Sequence, residues 1–551
     1  MSNNIVLKGT KASEGIGIGK LIKIEYNKTY NQKNKEALDT FYSLKQNLLN
    51  KIHWLKNIDT NTSQIFEIYE AILNDPYFEE LIKKYINQDL SLSETISKTV
   101  SEISYQLSNT NQYMKERVSD IERLGIVLQN PDVGAYQENT VICFNESLAV
   151  IDLINIDIKK IKGIVTNSGS KISHLAIWCR NNNIPFIYNI DTKQLKEGLV
   201  AAIDLNGYLI INPTQDFLDK LSVEKLQREK IINKAQYFKS KVSKFKNKEI
   251  KIGANIGNLE DAYVASQIGV KSVGLFRTEF MFLEKDKPLT QEQQYKIYKE
   301  AASLFTENVI IRTMDIGGDK KLNYLDLKNE LNPFLGIRGL RLSLKYKELF
   351  KTQLKAILKA AYDQKNICIM FPMVSIEEEI NQAKNIINDL AYEMDKQNEP
   401  YRIPQIGIMI EVPSAALNAD KLIKLVDFMS IGTNDLIQYT MAMDRTNNEV
   451  DYLYQPYNNS IIKLIQNVIN ACHLDSKWAG MCGAMAGELL YYPLLLEIGL
   501  DEFSMESSKV MLIKMYNDYL QSCKLNLLPW DDSKLHLLQE LYKNFLEWAK
   551  E

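Results

Sequence analysis

From about residue 251 onward the chain alternates short apolar runs with helix-length segments, and no other feature constrains its fold so tightly. The runs lie near 251–255 (KIGAN), 272–276 (SVGLF), 308–313, 367–371 (ICIMF), 406–411 (IGIMIE), 427–431 (DFMSI), 478–482 (WAGMC) and 501–505 (DEFSM). Short, nearly continuous apolar runs between turn residues read as strands buried on both faces. Eight strand–helix units predict a (β/α)8 barrel of the TIM type, whose chemistry sits at the C-terminal ends of the strands. A doubly wound open sheet is the alternative.

The preceding 250 residues follow two other patterns. Residues 139–212 alternate strand-like runs (TVICF, GIVT, IPFIYNI, LVAAIDL, YLIINP) with turns, and residues 1–25 look similar. Between them, Leu38, Phe41, Leu44, Leu48, Ile52 and Leu55 recur at steps of three and four, one apolar stripe on one helix. Asn74-Asp75-Pro76 breaks a second helix, and Ser91 with Glu94 forms a capping box that opens a third, striped by Ile96, Val100, Ile103 and Leu107. The expected organisation is an α/β domain from 1–25 and 139–213 with a helical bundle, 26–138, inserted in it. A charged stretch without Gly or Pro, 214–250, reads as a solvated helical linker, followed by the barrel at 251–551.

Charge and cysteine usage narrow the function classes. With 66 Lys and Arg against 69 Asp and Glu, the net charge of −3 leaves no electrostatic footprint for a nucleic-acid binder. No segment offers the ~20 apolar residues of a membrane span, and the N-terminus lacks a secretory pattern. The cysteines at 143, 179, 368, 472, 482 and 523 form no CxxC pair, so neither a zinc site nor a disulfide framework is expected and a reducing cytoplasm is the natural compartment.

Lysine serves wherever a generic positive charge suffices: 56 lysines stand against ten arginines. Five of those ten, Arg277, Arg312, Arg338, Arg341 and Arg445, cluster in a few short stretches of the C-terminal half, and arginine differs from lysine in gripping carboxylate or phosphate with a planar fork. Arg277 follows the second run, Arg312 ends the third, Glu411 ends the fifth, Asn434-Asp435 follow the sixth and Cys482 ends the seventh. All belong to one rim of the barrel, where packing residues would instead be scattered along the strands. Glu411 and Asp435 offer hard oxygen ligands suited to Mg²⁺ completed by substrate and water, and Arg277, Arg312 and Arg445 suit a small polyanion carrying carboxylate and phosphate. Cys482, in GMCG beside that site, is a candidate general acid.

A second centre lies far upstream. Of the four histidines, His53, His473 and His536 sit in charged helical stretches and read as surface residues. His174 instead ends a small polar turn, Asn167-Ser168-Gly169-Ser170-Lys171-Ile172-Ser173, that opens a helix. Free backbone N–H groups and the helix dipole there favour an anion, such as a phosphoryl group on the ring.

These residues stand in stretches that match, in order and almost end to end, one known family: ASEGIGIGK near the N-terminus, the SxxSHxAI segment, GLFRTEF (274–280), IRTMDIGGDK (311–320), NPFLGIRGLR (332–341), GIMIEVPSA (407–415), SIGTNDLIQYTMAMDR (430–445) and GMCG (480–483). The chain resembles Enzyme I of the bacterial phosphoenolpyruvate-dependent sugar phosphotransferase system. The resemblance implies that His174 is the phosphorylated nucleophile, attacking through Nε2 on a swivelling phosphohistidine domain. Arg277, Arg312, Asn434, Asp435 and Arg445 would hold phosphoenolpyruvate, Glu411 and Asp435 would ligate Mg²⁺, and Cys482 would protonate the enolate to release pyruvate. The helical insert would dock the carrier protein HPr, the barrel would form a homodimer, and 214–250 would supply the hinges.

Two stretches depart from the family's usual pattern. Ala484-Met485-Ala486-Gly487-Glu488 replaces the usual Glu-Leu-Ala-Gly-Asp after GMCG, and Gly169-Ser170 with Lys171 replaces the usual glycine pair and arginine before the Ser-His step. Two rival readings share the architecture. A pyruvate phosphate dikinase or phosphoenolpyruvate synthase needs a large ATP-binding domain, for which the helical insert of about 110 residues, lacking a glycine-rich phosphate loop, has no room. A non-catalytic regulator would be marked by a sensory domain ahead of residue 1, and the expectation is against it.

Overall fold

The computed structural model describes the chain apart from residues 1–4, 25, 27–28, 59–68, 109–111, 131–138, 146–149, 155–157, 170–173, 183, 284–286, 318–321, 323, 326–329 and 445–447. It divides into two units, Met1–Gln227 and Arg228–Glu551.

The first unit is built on a sheet of eight strands: β1 (Ile5–Lys8), β2 (Thr10–Ser13), β3 (Gly17–Lys23), β4 (Thr140–Phe144), β5 (Ile161–Thr166), β6 (Phe186–Tyr188), β7 (Val200–Ile203) and β8 (Tyr208–Ile211). Their order is β1-β8-β7-β3-β4-β5-β6-β2, with β3, β4, β5 and β6 parallel and the flanking strands antiparallel. Helices Asn34–Ile58, Pro76–Ile86, Leu92–Ser108 and Gln112–Gln129 are inserted between β3 and its neighbour β4. Their ends follow from the sequence. Asp75 accepts the Tyr77 N–H at 2.9 Å with Pro76 at the first helical position, where a missing N–H costs nothing. Ser91 and Glu94 exchange hydrogen bonds in the expected capping box. Phe41, Leu48, Ile52 and Ile96 of the apolar stripes are buried in one cluster with Ile142, Phe144 and Trp178, so the inserted helices and one face of the sheet share a core.

The second unit is the expected barrel. β11 (Lys251–Ile256), β12 (Val273–Arg277), β13 (Val309–Arg312), β14 (Ile367–Phe371), β15 (Gln405–Ile410), β16 (Phe428–Ile431), β17 (Trp478–Met481) and β18 (Glu502–Glu506) close into a ring of parallel strands, β18 pairing back with β11. Side chains alternate as a strand period of two requires. Leu275, Ile310, Cys368, Met370, Met409, Phe428 and Cys482 form one cluster, while Phe276, Ile311, Ile369 and Met429 belong to the larger cluster shared with the helical shell. Phe428 stacks on Trp478 with ring centroids 4.3 Å apart.

The stretch expected to form one helix over 214–250 is not a single element. The helix covers Gln215–Gln236, and Lys244–Phe245 and Lys248–Glu249 then pair as an antiparallel hairpin, β9 and β10. Lys246 and Asn247 both take positive φ, 47° and 67°, the two-residue turn whose twist matches paired strands. The expectation rested on the lack of Gly and Pro, and Asn is the residue other than Gly that best tolerates this conformation. Beyond the unit boundary the helix is also not a free linker: Ala235 is buried, Ile231 packs on the barrel's shell, and Lys234 Nζ donates to the Trp548 carbonyl at 2.7 Å. Among the described residues no helix is long and apolar enough to cross a membrane.

Candidate active site

Arg277 and Arg312 are the last residues of adjacent strands β12 and β13 and face each other in register. Arg312 is buried: Nη2 donates to Glu279 Oε1 at 2.6 Å and lies 3.1 Å from Asp315 Oδ2, while Nε has no partner among the described residues. Burial opposes its charge, but Glu279, Asp315 and Glu411 more than offset that, so its pKa is raised and the guanidinium stays cationic. A buried N–H without a protein acceptor at a strand end is a donor available to a ligand.

Arg338 lies between two carboxylates. Nε and Nη2 each reach Asp315 at 3.1 Å, and Nη1 and Nη2 reach Asp435 at 3.0 and 3.1 Å, a forked contact on either side that lysine could not make. Asp315 follows β13, and Asp435 lies in the first turn of the helix Thr433–Thr440 that follows β16. Gly317 and Gly339 permit this closeness. Both take positive φ, and a Cβ on Gly317 would stand 2.3 Å from the Ile337 carbonyl oxygen.

Glu411, the residue after β15, is buried, and its Oε1 accepts the Met373 N–H at 2.7 Å. Its pKa is pushed up to about 8, first by burial and then by the negative charges of Asp435 and Asp315, against the pull of Arg312 and Arg338. Asn434 Oδ1 accepts the Ala484 N–H at 3.0 Å and so ties the loop after β16 to the loop after β17. Gly483 completes this seam, since a Cβ there would stand 2.0 Å from Thr433 Oγ1.

Cys482 follows β17 and is buried at the top of the barrel interior. Its Sγ accepts from Ser430 Oγ at 3.4 Å. Burial pushes the thiol up to about 11, while Ser430 and the charges of Arg312 and Arg277 pull it down. At neutral pH Cys482 is therefore a protonated thiol, a proton donor rather than a nucleophile.

His174 belongs to the other unit, where it opens the helix His174–Asn181 after β5, and Leu175, Ala176, Trp178 and Cys179 anchor that helix in the core. Its side chain, residues 170–173 with Lys171, and Arg445 lie outside the described residues. The rim thus gathers Arg277, Arg312, Glu411, Asn434, Asp435 and Cys482 within the barrel unit. It also brings in Arg338, Glu279 and Asp315, which carried no assigned role in the sequence. Arginine scarcity had pointed to Arg338, but its pairing with two aspartates 23 and 97 residues away is a tertiary fact. Among the described residues no group of three or more His, Cys, Asp or Glu side chains could hold a metal by itself.

Three family models match the chain: "PEP-utilising enzyme, PEP-binding domain" over residues 233–521, "PEP-utilising enzyme, N-terminal" over 8–117 and "PEP-utilising enzyme, mobile domain" over 137–207. The chain is 38% identical over 536 residues to a phosphoenolpyruvate-protein phosphotransferase of Listeria innocua, covering 92% of each chain. It is 37% identical over 541 residues to the protein of that name from Bacillus subtilis, covering 92% of this chain and 93% of the relative. For the protein of that name from Mycoplasma capricolum the values are 36% over 548 residues and 95% of each chain. With a barrel of this architecture and relatives this similar over nearly its whole length, the chain belongs to the phosphoenolpyruvate-protein phosphotransferase family.

Proposed function

We propose that this chain takes the phosphoryl group of phosphoenolpyruvate onto Nε2 of His174, releasing pyruvate, and passes it to a histidine of the carrier HPr. The observation that carries this reading is the barrel rim, where Arg277 and Arg312 end adjacent strands beside Glu411, Asn434, Asp435 and a protonated Cys482. The arginines bind the carboxylate and phosphate of the substrate, with Arg445 as a third cation. As the phosphoryl group leaves, negative charge develops on the enolate oxygen. The proton of Cys482 then goes to the methylene carbon, forming the methyl group of pyruvate and leaving a thiolate next to Ser430 and two guanidinium groups. His174 must arrive with Nε2 unprotonated, so loading weakens as pH falls through the ordinary histidine range near ~6.5.

Glu411 and Asp435 suit a divalent cation. Burial foremost, and then repulsion from Asp435 and Asp315, raises the Glu411 pKa; a bound cation would relieve that repulsion, and hard carboxylate oxygens favour Mg²⁺. Such a cation supplies charge neutralisation at the phosphoryl oxygens. His174 and the rim belong to different units, so the first unit moves as a body during loading, the helical insert docks HPr, and the barrel pairs with a second copy in a cytoplasmic enzyme.

The test is incubation with labelled phosphoenolpyruvate and Mg²⁺, with and without ATP. We expect an acid-labile phosphohistidine without ATP, none in His174→Ala, and formation at least ~100-fold slower in Cys482→Ala, the usual scale for losing a general acid. Label that passes to added HPr completes the assignment. Label that appears only with ATP, or that persists in His174→Ala, overturns it.

A further inference from the structure

Behind the two arginine-bearing strand ends lies a polar chain sealed from solvent. Gln353, on the helix Lys347–Asp363, is fully buried among the apolar residues that fix that helix to the barrel. Its Oε1 accepts the Met314 N–H at 3.0 Å. Its Nε2 donates to Thr278 Oγ1 at 3.1 Å and to the Tyr298 hydroxyl at 3.2 Å. Thr278 passes its own hydrogen to the Arg312 carbonyl at 2.7 Å, and Tyr298 passes its hydrogen to Gln294 Oε1 at 3.1 Å.

The donors and acceptors in this chain leave one arrangement. Turning the amide over would set its NH₂ against the Met314 N–H and its oxygen against two hydroxyls whose hydrogens are already committed. The orientation of Gln353 is therefore determined, and so is what it holds. Of its three partners, Thr278 stands between Arg277 and Glu279, and Met314 stands between Thr313 and Asp315, two residues after Arg312. A single amide thus spans the exits of β12 and β13, which carry two arginines side by side and the carboxylates that pair with Arg312. Adjacent guanidinium groups repel, and a fully satisfied buried network is the kind of support that keeps them in place before an anion arrives.

We propose that Gln353 is a positioning residue for the phosphoenolpyruvate site, acting through Thr278 and the backbone at 312–314 to hold Arg277 and Arg312 at the spacing the substrate needs. The proposal rests on the function assigned above. It touches no substrate atom, so its signature is weakened substrate capture rather than lost chemistry.

The test compares initial rates of phosphoenolpyruvate-dependent phosphorylation of the full chain across substrate concentrations. The variants are Gln353→Leu, Thr278→Val, the pair together, and Asn366→Ala. Asn366 holds the carbonyls of Ala302, Phe305 and Glu307 ahead of β13, at the end of the barrel away from the rim, and serves as a control loss of three part-buried hydrogen bonds remote from the rim. Gln353→Leu and Thr278→Val should each raise the KM for phosphoenolpyruvate about tenfold, with kcat changed less than about threefold, because both cut the bond between Gln353 and Thr278 that ties the helix to the arginine-bearing strand end. The pair should do little more than either single change, because both cut one chain. Asn366→Ala should lower Tm while leaving KM unchanged.

An unchanged KM in soluble, folded Gln353→Leu overturns the proposal, as does an equal KM rise in Asn366→Ala or strict additivity in the pair. Where Gln353→Leu does not fold, Thr278→Val alone decides on the same KM criterion. Absence of phosphorylation in the wild-type chain would instead overturn the assigned function.

Discussion

Arg338 shows how much of this site is a problem of charge balance. Asp315, Asp435 and Glu411 are all buried, and burial first, then the negative charges of Asp435 and Asp315, pushes up the pKa of Glu411. Arg338 stabilises the arrangement by forking onto two of them at once, and both aspartates lose that partner when it is removed. Arg338→Leu should therefore destabilise the barrel by about 3–5 kcal/mol, the scale for breaking a buried ion pair by removing one partner. The check is urea denaturation followed by tryptophan fluorescence, and a loss below about 1 kcal/mol would rule out this role for the ion pairs. Arginine usage made this residue visible in the sequence, whereas its partners were not visible. Pairing across 97 residues is created only when the loops after β13 and β16 meet.

At the scale of elements, strand positions were legible to within about a residue because a strand buried on both faces must be apolar throughout, and polar helix faces interrupt it on either side. The helix-to-hairpin change at 237–249 was not, since absence of breakers is weak evidence and the turn at Lys246-Asn247 uses no glycine. β18 carries a further consequence. Glu502 is buried on it, one carboxylate oxygen has no partner among the described residues, and burial foremost raises its pKa to about 7 from an ordinary 4.5. Between those values the folded chain holds a proton the unfolded chain has released, so stability falls as pH rises from about 4.5 to about 7 and levels off above. Tm measured across that window should fall less steeply in Glu502→Gln than in the wild type, the difference corresponding to about 3 kcal/mol, while Glu411 leaves a common slope in both. Parallel profiles for the two proteins would show that Glu502 does not titrate there.

For the whole molecule, two units with separate hydrophobic clusters should melt separately. Calorimetry on the His174→Ala chain, which on the proposed function cannot consume the ligand, should resolve two transitions. Phosphoenolpyruvate with Mg²⁺ should raise only the barrel's, by about 2.7 kcal/mol at a hundredfold excess over Kd. A single cooperative transition, or a shift of the other one, would contradict this division of labour.

The sequence by itself determined the barrel, the rim on which its reactive residues stand, the helical insertion and the family, because each is written in local periodicity or in ordered motifs that survive without knowledge of contacts. Tertiary structure alone decided which charges neutralise one another, that burial pushes the Cys482 thiol up to about 11, and that Gln353 bonds Thr278 and Met314 behind the arginine pair. Those properties arise from burial and from the meeting of loops far apart in the chain. Desolvation and pairwise distance set them, and neither quantity exists until the chain has folded.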